Sequence, residues 1–183
     1  MKRIAVYCGS QPGVRPAYSA AAEALGSLLA RERIELVYGG GCVGLMGVVA
    51  NAALRHGGHV IGVIPKQLVI KEVVHESLPD LRIVADMHER KALMAELADG
   101  FIALPGGFGT YEELFEILTW GQLGWHHKPI AFYDVDGFYH SLLRFLDHAA
   151  TEGFLRPQHR NLVRVGTTAD SVLQQLRQVQ SPS

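Results

Sequence analysis

The chain has 183 residues, 48% hydrophobic and 19% charged, with a formal net charge of -1; that supports one domain with a substantial core and excludes a disordered chain. The charge balance leaves no electrostatic footprint for a nucleic acid, and no run approaches the about 18 apolar residues of a membrane span. Two cysteines, Cys8 and Cys42, are too few for a disulfide scaffold or a zinc ribbon, and Met1-Lys2-Arg3 leads into a strand without a signal-peptide core, so a reduced, cytoplasmic setting is expected.

Strand-like and helix-like runs alternate along the chain. Residues 3–8 read as a strand, 16–32 as a helix with Ala20, Ala24, Leu28 and Leu29 at helical spacing, and 36–38 as a short strand. That strand runs into Gly39-Gly40-Gly41-Cys42-Val43-Gly44, then a helix over 45–56 and a strand over 59–64, stopped by Pro65. Residues 66–80 read as an irregular, mobile loop. A strand over 81–85, a helix over 87–98, a strand over 101–104 and a helix over 110–123 come next. A strand over 129–133, a helix over 138–152, a strand over 162–165 and a helix over 168–179 follow, before an end at 181–183 expected to fray. Repeated βα units predict an α/β, Rossmann-like, doubly wound parallel sheet with helices on both faces. No linker, internal repeat or low-complexity tract breaks the chain, which reads as a single nucleotide-binding domain over 1–183. In such sheets ligands sit at the carboxyl ends of the strands near the switch point. The turns at Gly9-Ser10, 39–44 and 105–110 fit that place. Ser10, Gly40 and Gly41 are expected to border the ligand, and the Ser10 hydroxyl to touch it rather than attack it.

The most informative stretch is Phe101-Ile102-Ala103-Leu104-Pro105-Gly106-Gly107-Phe108-Gly109-Thr110-Tyr111-Glu112-Glu113. An apolar strand ends in a glycine turn whose bare backbone lets N–H groups approach an anion. Thr110 is expected to open the helix, whose first amides carry partial positive charge. The stretch reads as a phosphate cradle with an acid beside it. Thr110-Tyr111-Glu112-Glu113 is also a capping box, in which Glu113 bonds back to the Thr110 N–H. On the residue pattern alone that cap is favoured over an acid–base role for a half-buried carboxylate.

Asp86-Met87-His88-Glu89-Arg90-Lys91 opens another helix, with Asp86 as N-cap and Glu89 at the capping-box position. Arg90 falls on the apolar stripe of Met87, Met94 and Leu97. A buried arginine needs its charge matched. Asp99 or a strand-end carbonyl would make it structural; an anion site would make it functional, which its five rigid donors suit. Position does not separate these readings. Lys91, one residue round, reads as solvent-exposed.

Other chemistries find little support. Gly39 to Gly44 matches G-x-G-x-x-G, but it follows the second strand and lacks the ribose-binding acid about 20 residues on. Neither glycine turn continues into a Walker A lysine. There is no H-E-x-x-H, and His126-His127 are adjacent and diverge. No G-x-S-x-G elbow occurs. Trp120 and Trp125 read as core or as subunit contact.

Taken together, Cys8-Gly9-Ser10, Gly39-Gly40-Gly41 with Gly44-Leu45-Met46-Gly47, Asp86 to Lys91, and Pro105 to Glu113 with Ile117-Leu118-Thr119-Trp120 resemble the LOG ("Lonely guy") family of cytokinin riboside 5′-monophosphate phosphoribohydrolases. The resemblance covers roughly residues 4–152. It implies hydrolysis of an N6-modified adenosine 5′-monophosphate to free base and ribose 5-phosphate, with no cofactor and no metal. It implies that Arg90 and Glu113 are the catalytic pair. It implies nucleotide contacts at Lys91, at Gly107, Phe108, Gly109, Thr110, Tyr111, Glu112 and Glu113, at Thr119 and, by a looser alignment, at Glu72; Met87, Pro105 and Gly106 are expected beside them. Family members of this length are generally homodimers. Many carried the label "lysine decarboxylase", but the chain is short for a pyridoxal-phosphate enzyme and no Schiff-base lysine is identifiable. Two alternatives stay open: a general AMP or purine nucleotide nucleosidase, and a non-catalytic nucleotide-binding carrier or sensor.

Overall fold

The computed structural model describes residues 1–69, 75 and 78–178. The short apolar runs form β1 (Arg3–Tyr7), β2 (Glu35–Tyr38), β3 (Val60–Pro65), β4 (Asp80–Val84), β5 (Gly100–Ala103), β6 (Ile130–Tyr133) and β7 (Val163–Gly166). All neighbouring pairs are parallel, and the order across the sheet is β4-β3-β2-β1-β5-β6-β7. Parallel pairing forces a crossover between strands, and the helices supply it. They are α1 (Pro16–Arg31), α2 (Gly44–Arg55), α3 (Lys66–Val69), α4 (Met87–Leu97), α5 (Phe108–Gln122), α6 (His140–Thr151), α7 (Pro157–Arg160) and α8 (Ala169–Arg177).

Alternation along the strands divides the core. Ile4, Val6, Leu36, Tyr38 and Ile102 face one layer with α1, α2 and α8. Ala5, Tyr7, Val37, Phe101 and Ala103 face the other with α4, α5 and α6. The expected doubly wound sheet with helices on both faces is therefore what forms. Element ends differ from expectation by one or two residues in most places. In the stretch expected to be irregular, Lys66–Val69 makes one helical turn. Within 70–80, His75 and Leu78 are described before β4 begins; the His75 N–H donates to the Gly40 carbonyl at 3.3 Å and Leu78 is buried. Glu72 and the end expected to fray lie outside the described residues. The short helix α7 had no signal beyond Pro157 at its first position. Among the described residues no helix is long and apolar enough to cross a membrane.

Chain order reverses at β1, which is flanked by β2 and β5. The turns leaving β1 and β5 therefore diverge to opposite faces and open a crevice between them. They are tied at its floor: the Gly9 N–H donates to the Pro105 carbonyl at 3.0 Å. The Gly9 carbonyl in turn accepts from Leu45 N–H at 3.0 Å and Met46 N–H at 3.4 Å, fastening the start of α2. Gly44 makes this approach possible. It sits at φ 58°, and a Cβ there would strike the Ser10 backbone.

Candidate functional site

A cavity of about 190 Å³ opens at this crevice, lined by backbone and side chains from β1, the 39–44 turn, α4 and α5. Its chemistry lies in Arg90, Glu113, Ser10 and the turn from Gly107 to Thr110.

Helix α5 starts at Phe108, two residues before the expected Thr110. Gly107 takes the N-cap position with extended backbone, and no side chain caps the helix. The first bond into the helix runs from the Tyr111 N–H to the Gly107 carbonyl. The amides of Phe108, Gly109 and Thr110 are thereby left without helical partners. A Cβ at Gly107 or Gly109 would meet nothing within 4 Å, so both glycines face open space. Thr110 is instead turned inward and buried, its side chain against Gly106. The earlier start corrects the capping box. Glu113 falls in the second turn of the helix, past the N-terminal position that a capping box requires.

Glu113 faces Arg90 instead. Its Oε1 lies 3.5 Å from Arg90 Nη2, and each side chain is 9% exposed. Burial pushes the Glu113 carboxyl up, Arg90 pulls it back, Glu112 and Glu116 push it up and Lys91 pulls it down; the result is about 7. Glu113 is thus poised near neutrality, where a proton is cheaply gained or lost. Behind it, burial also holds the Tyr7 hydroxyl and the Cys8 thiol well above their ordinary ranges, so both stay neutral.

Arg90 is carried by α4, started by Asp86, whose side chain accepts from the His88 and Glu89 N–H groups. Glu89 accepts from the Ala85 N–H, one residue earlier than a capping box. The backbone partner that Arg90 finds is a carbonyl within a strand rather than at its end: Nε donates to the Val63 carbonyl of β3 at 3.1 Å. Nη1 donates to Met87 Sδ at 3.7 Å. Asp99 is occupied elsewhere, accepting from the Lys2 and Arg3 backbone. Two of the five guanidinium donors are used in these bonds, Nη2 is turned to Glu113, and Arg90 lines the cavity. Gly39 explains the room available: a Cβ there would overlap Arg90 Nη2. The first glycine of the G-x-G-x-x-G match thus makes a slot for an arginine, with no pyrophosphate needed to account for it.

The other expected site residues divide. Ser10, Met87, Gly107, Phe108, Gly109 and Thr110 line the cavity with the pair. Pro105 and Gly106 line an adjoining cavity of about 290 Å³, which shares Gly9, Ser10 and Gly107 with the first. Its remaining wall is largely apolar, including Pro12, Tyr18, Leu45 and Phe138. Gly40 and Gly41 are buried behind the turn and line neither cavity. Tyr111 and Glu112 line neither cavity: Tyr111 packs against the core and Glu112 is paired with Lys91. Thr119 lies on the exposed outer face of α5, its hydroxyl donating to the Phe115 carbonyl at 2.7 Å. Lys91 corrects its expected exposure. It is 6% exposed and bridges Glu112 and Glu116. The sequence reading missed Tyr18, Leu45, Met46 and Phe138 as lining residues, although it placed the Gly9-Ser10 turn at the ligand. Leu45 and Met46 stood within noted motifs; Tyr18 and Phe138, far apart in the chain, carried no local signal.

The family model described as "Possible lysine decarboxylase" matches residues 46–176. The cytokinin riboside 5′-monophosphate phosphoribohydrolase LOG7 of Arabidopsis thaliana is 52% identical to this chain, over 97% of it and 82% of the relative. The chain belongs to the LOG family. The LOG relative LOG3 of the same plant is 50% identical over 97% of this chain and 82% of its own. The probable LOG enzyme LOGL5 of Oryza sativa subsp. japonica is 49% identical over 99% and 74%. Among solved structures, a molybdenum cofactor binding protein from Rippkaea orientalis superposes with a TM-score of 0.72, at 22% identity over 94% of this chain and 93% of that one. The molybdenum cofactor carrier protein of Chlamydomonas reinhardtii gives 0.70 at 19% identity, over 94% of each. At such identities these two show a shared fold alone. The LOG assignment also fits Lys91. Its burial lowers its proton affinity, but Glu112 and Glu116 outweigh this and hold the ammonium above the ordinary lysine range. A decarboxylase lysine forming a Schiff base needs the opposite, a neutral amine.

Proposed function

We propose that this protein hydrolyses the N-glycosidic bond of an N6-modified adenosine 5′-monophosphate, releasing free base and ribose 5-phosphate. The observation that carries the reading is the Arg90–Glu113 pair in a cavity rimmed by the unpartnered amides of Phe108, Gly109 and Thr110. The phosphate rests on those amides and on the positive end of α5. The ribose is thereby fixed over the carboxylate. As the C1′–N9 bond breaks, positive charge develops on the sugar, and ionised Glu113 stabilises it and takes a proton from the attacking water. The water oxygen becomes the new hydroxyl on C1′, and the proton that Glu113 took from that water is passed on to the departing base, which leaves Glu113 ionised again. Arg90 opposes Glu113 and keeps a useful fraction of it ionised near neutrality.

The adjoining apolar cavity favours a base with an apolar N6 group over plain AMP. Base release from isopentenyladenosine 5′-monophosphate, AMP and adenosine tests the whole reading. The modified nucleotide should react at least about tenfold faster than AMP. Adenosine, lacking the phosphate handle, should fall roughly a hundredfold below AMP. Equal rates for adenosine and AMP would remove the phosphate cradle. Nucleotide binding without any base release would leave a carrier.

The one sheet with its two apolar layers supports reading the chain as a single nucleotide-binding domain. We also place the protein in the cytoplasm as a homodimer. Cys8 and Cys42 are both free thiols, as a reducing compartment keeps them. Phe115 and Leu118 on α5 and Leu146 and Leu155 near α6 border an open groove, and Trp125, Phe145 and Phe154 stand exposed close by in sequence. Such aromatics are the usual anchors of subunit contacts. A monomer on sedimentation at micromolar concentration, or recovery from a secreted fraction, would remove the corresponding half of this assignment.

A further inference from the structure

Two neighbouring residues on α4 reach two neighbouring residues on α5. Arg90 faces Glu113, and Lys91 is bonded to Glu112 and, at 3.1 Å, to Glu116. Glu112 and Glu116 are four residues apart and lie on one face of the helix. The Lys91 side chain is 8% exposed and lines neither cavity. A buried ammonium costs several kcal/mol unless closely paired. Once paired with both carboxylates it has a strong preference for one position of α4 against α5.

We propose that Lys91 is a positioning residue that acts through Glu112 and Glu116, holding α4 and α5 in the register that sets Arg90 opposite Glu113. This rests on the catalytic reading of that pair, and it replaces the direct nucleotide contact that the family resemblance implies for Lys91. The triad also sets the field at Glu113. The groups facing that carboxyl are Tyr7 at the end of β1 and Cys8 just after it, Arg90 and Lys91 from α4, and Glu112 and Glu116 from its own helix. Lys91 pulls its proton affinity down, and the two glutamates push it up. Removing either side of the triad therefore moves Glu113 in opposite directions.

The test compares wild type, Lys91→Met, Lys91→Arg and the double variant Glu112→Gln/Glu116→Gln. Two readouts are taken: the pH profile of kcat and KM, and the titration of Glu113 followed by its carboxyl 13C shift in the free protein. Lys91→Met should lower kcat about tenfold or more with little change in KM. It should move the Glu113 midpoint up by about one pH unit. The double variant should move that midpoint down, and Lys91→Arg should restore it towards wild type. A raised KM with the Glu113 midpoint unmoved in Lys91→Met would overturn the proposal and make Lys91 a substrate contact. Midpoints moving the same way in both charge-removing variants would overturn it too. The carboxyl titration needs no turnover, so it decides this proposal even if wild type releases no base; that result would count against the proposed reaction alone.

Discussion

Glu113→Gln should lose turnover by a factor of about 10²–10⁴ while binding nucleotide as wild type does. The same substitution should make the protein more stable at pH 8, which separates it from the loss of a structural residue. The folded Glu113 carboxyl titrates at about 7, raised from an ordinary 4.5. The folded state therefore holds a proton that the unfolded chain releases, and stability falls as pH rises from about 4.5 to about 7, then levels. Glutamine mimics the protonated form and escapes that cost, on the order of 3 kcal/mol. For a chain of this size that is roughly 5–10 °C in melting temperature at pH 8, with almost no gain at pH 5. Scanning calorimetry at the two pH values, beside base-release rates, checks both halves. A capping role, which glutamine fills as well as glutamate, predicts an unchanged melting temperature at both pH values and near-normal turnover; that pair of results would refute the catalytic assignment.

Arg90→Met should cut kcat by about 10²–10³, the usual effect of removing one preorganised donor beside developing charge. Two further consequences follow from its contacts. The Val63 carbonyl loses its guanidinium partner, and Glu113 loses the cation that pulls its proton affinity down. The acid limb of any residual activity should therefore move to higher pH. Gly39→Ala gives an independent check that leaves the arginine in place. The new methyl would occupy the space of Arg90 Nη2, so the guanidinium must swing away from Glu113. Its turnover should fall in the same direction as that of Arg90→Met, by less. Full activity in Gly39→Ala beside an inactive Arg90→Met would show that Arg90 works from another position.

Much of this architecture was legible in the linear chain because its causes are local. Apolar runs such as Phe101-Ile102-Ala103-Leu104 alternate with amphipathic stretches, and that alternation alone calls for parallel strands joined by helices. Asp86 caps α4 as read, because an N-cap needs only its own next turn. The Pro105 to Thr110 turn was legible as a special backbone, since three glycines in five residues have few other uses. The start of α5 was misplaced for a related reason. Threonine is the better N-cap by local preference, yet Thr110 is drawn under Gly106 and the helix begins on Gly107.

The charges were not legible in the same way. Whether Arg90 was structural or functional, whether Glu113 capped a helix, and whether Lys91 met water all depend on groups 21 to 27 residues distant or further in the chain. No periodicity encodes such distances. By itself the sequence determined the order of elements, the glycine turns and the residue types available for chemistry, because these follow from steric and apolar preferences within a few residues. Only the tertiary structure decided that α4 and α5 set Arg90 and Lys91 against Glu113, Glu112 and Glu116. A charge is assigned its role by which partner and how much water surround it, and both are properties of the packed sheet rather than of neighbours in the chain.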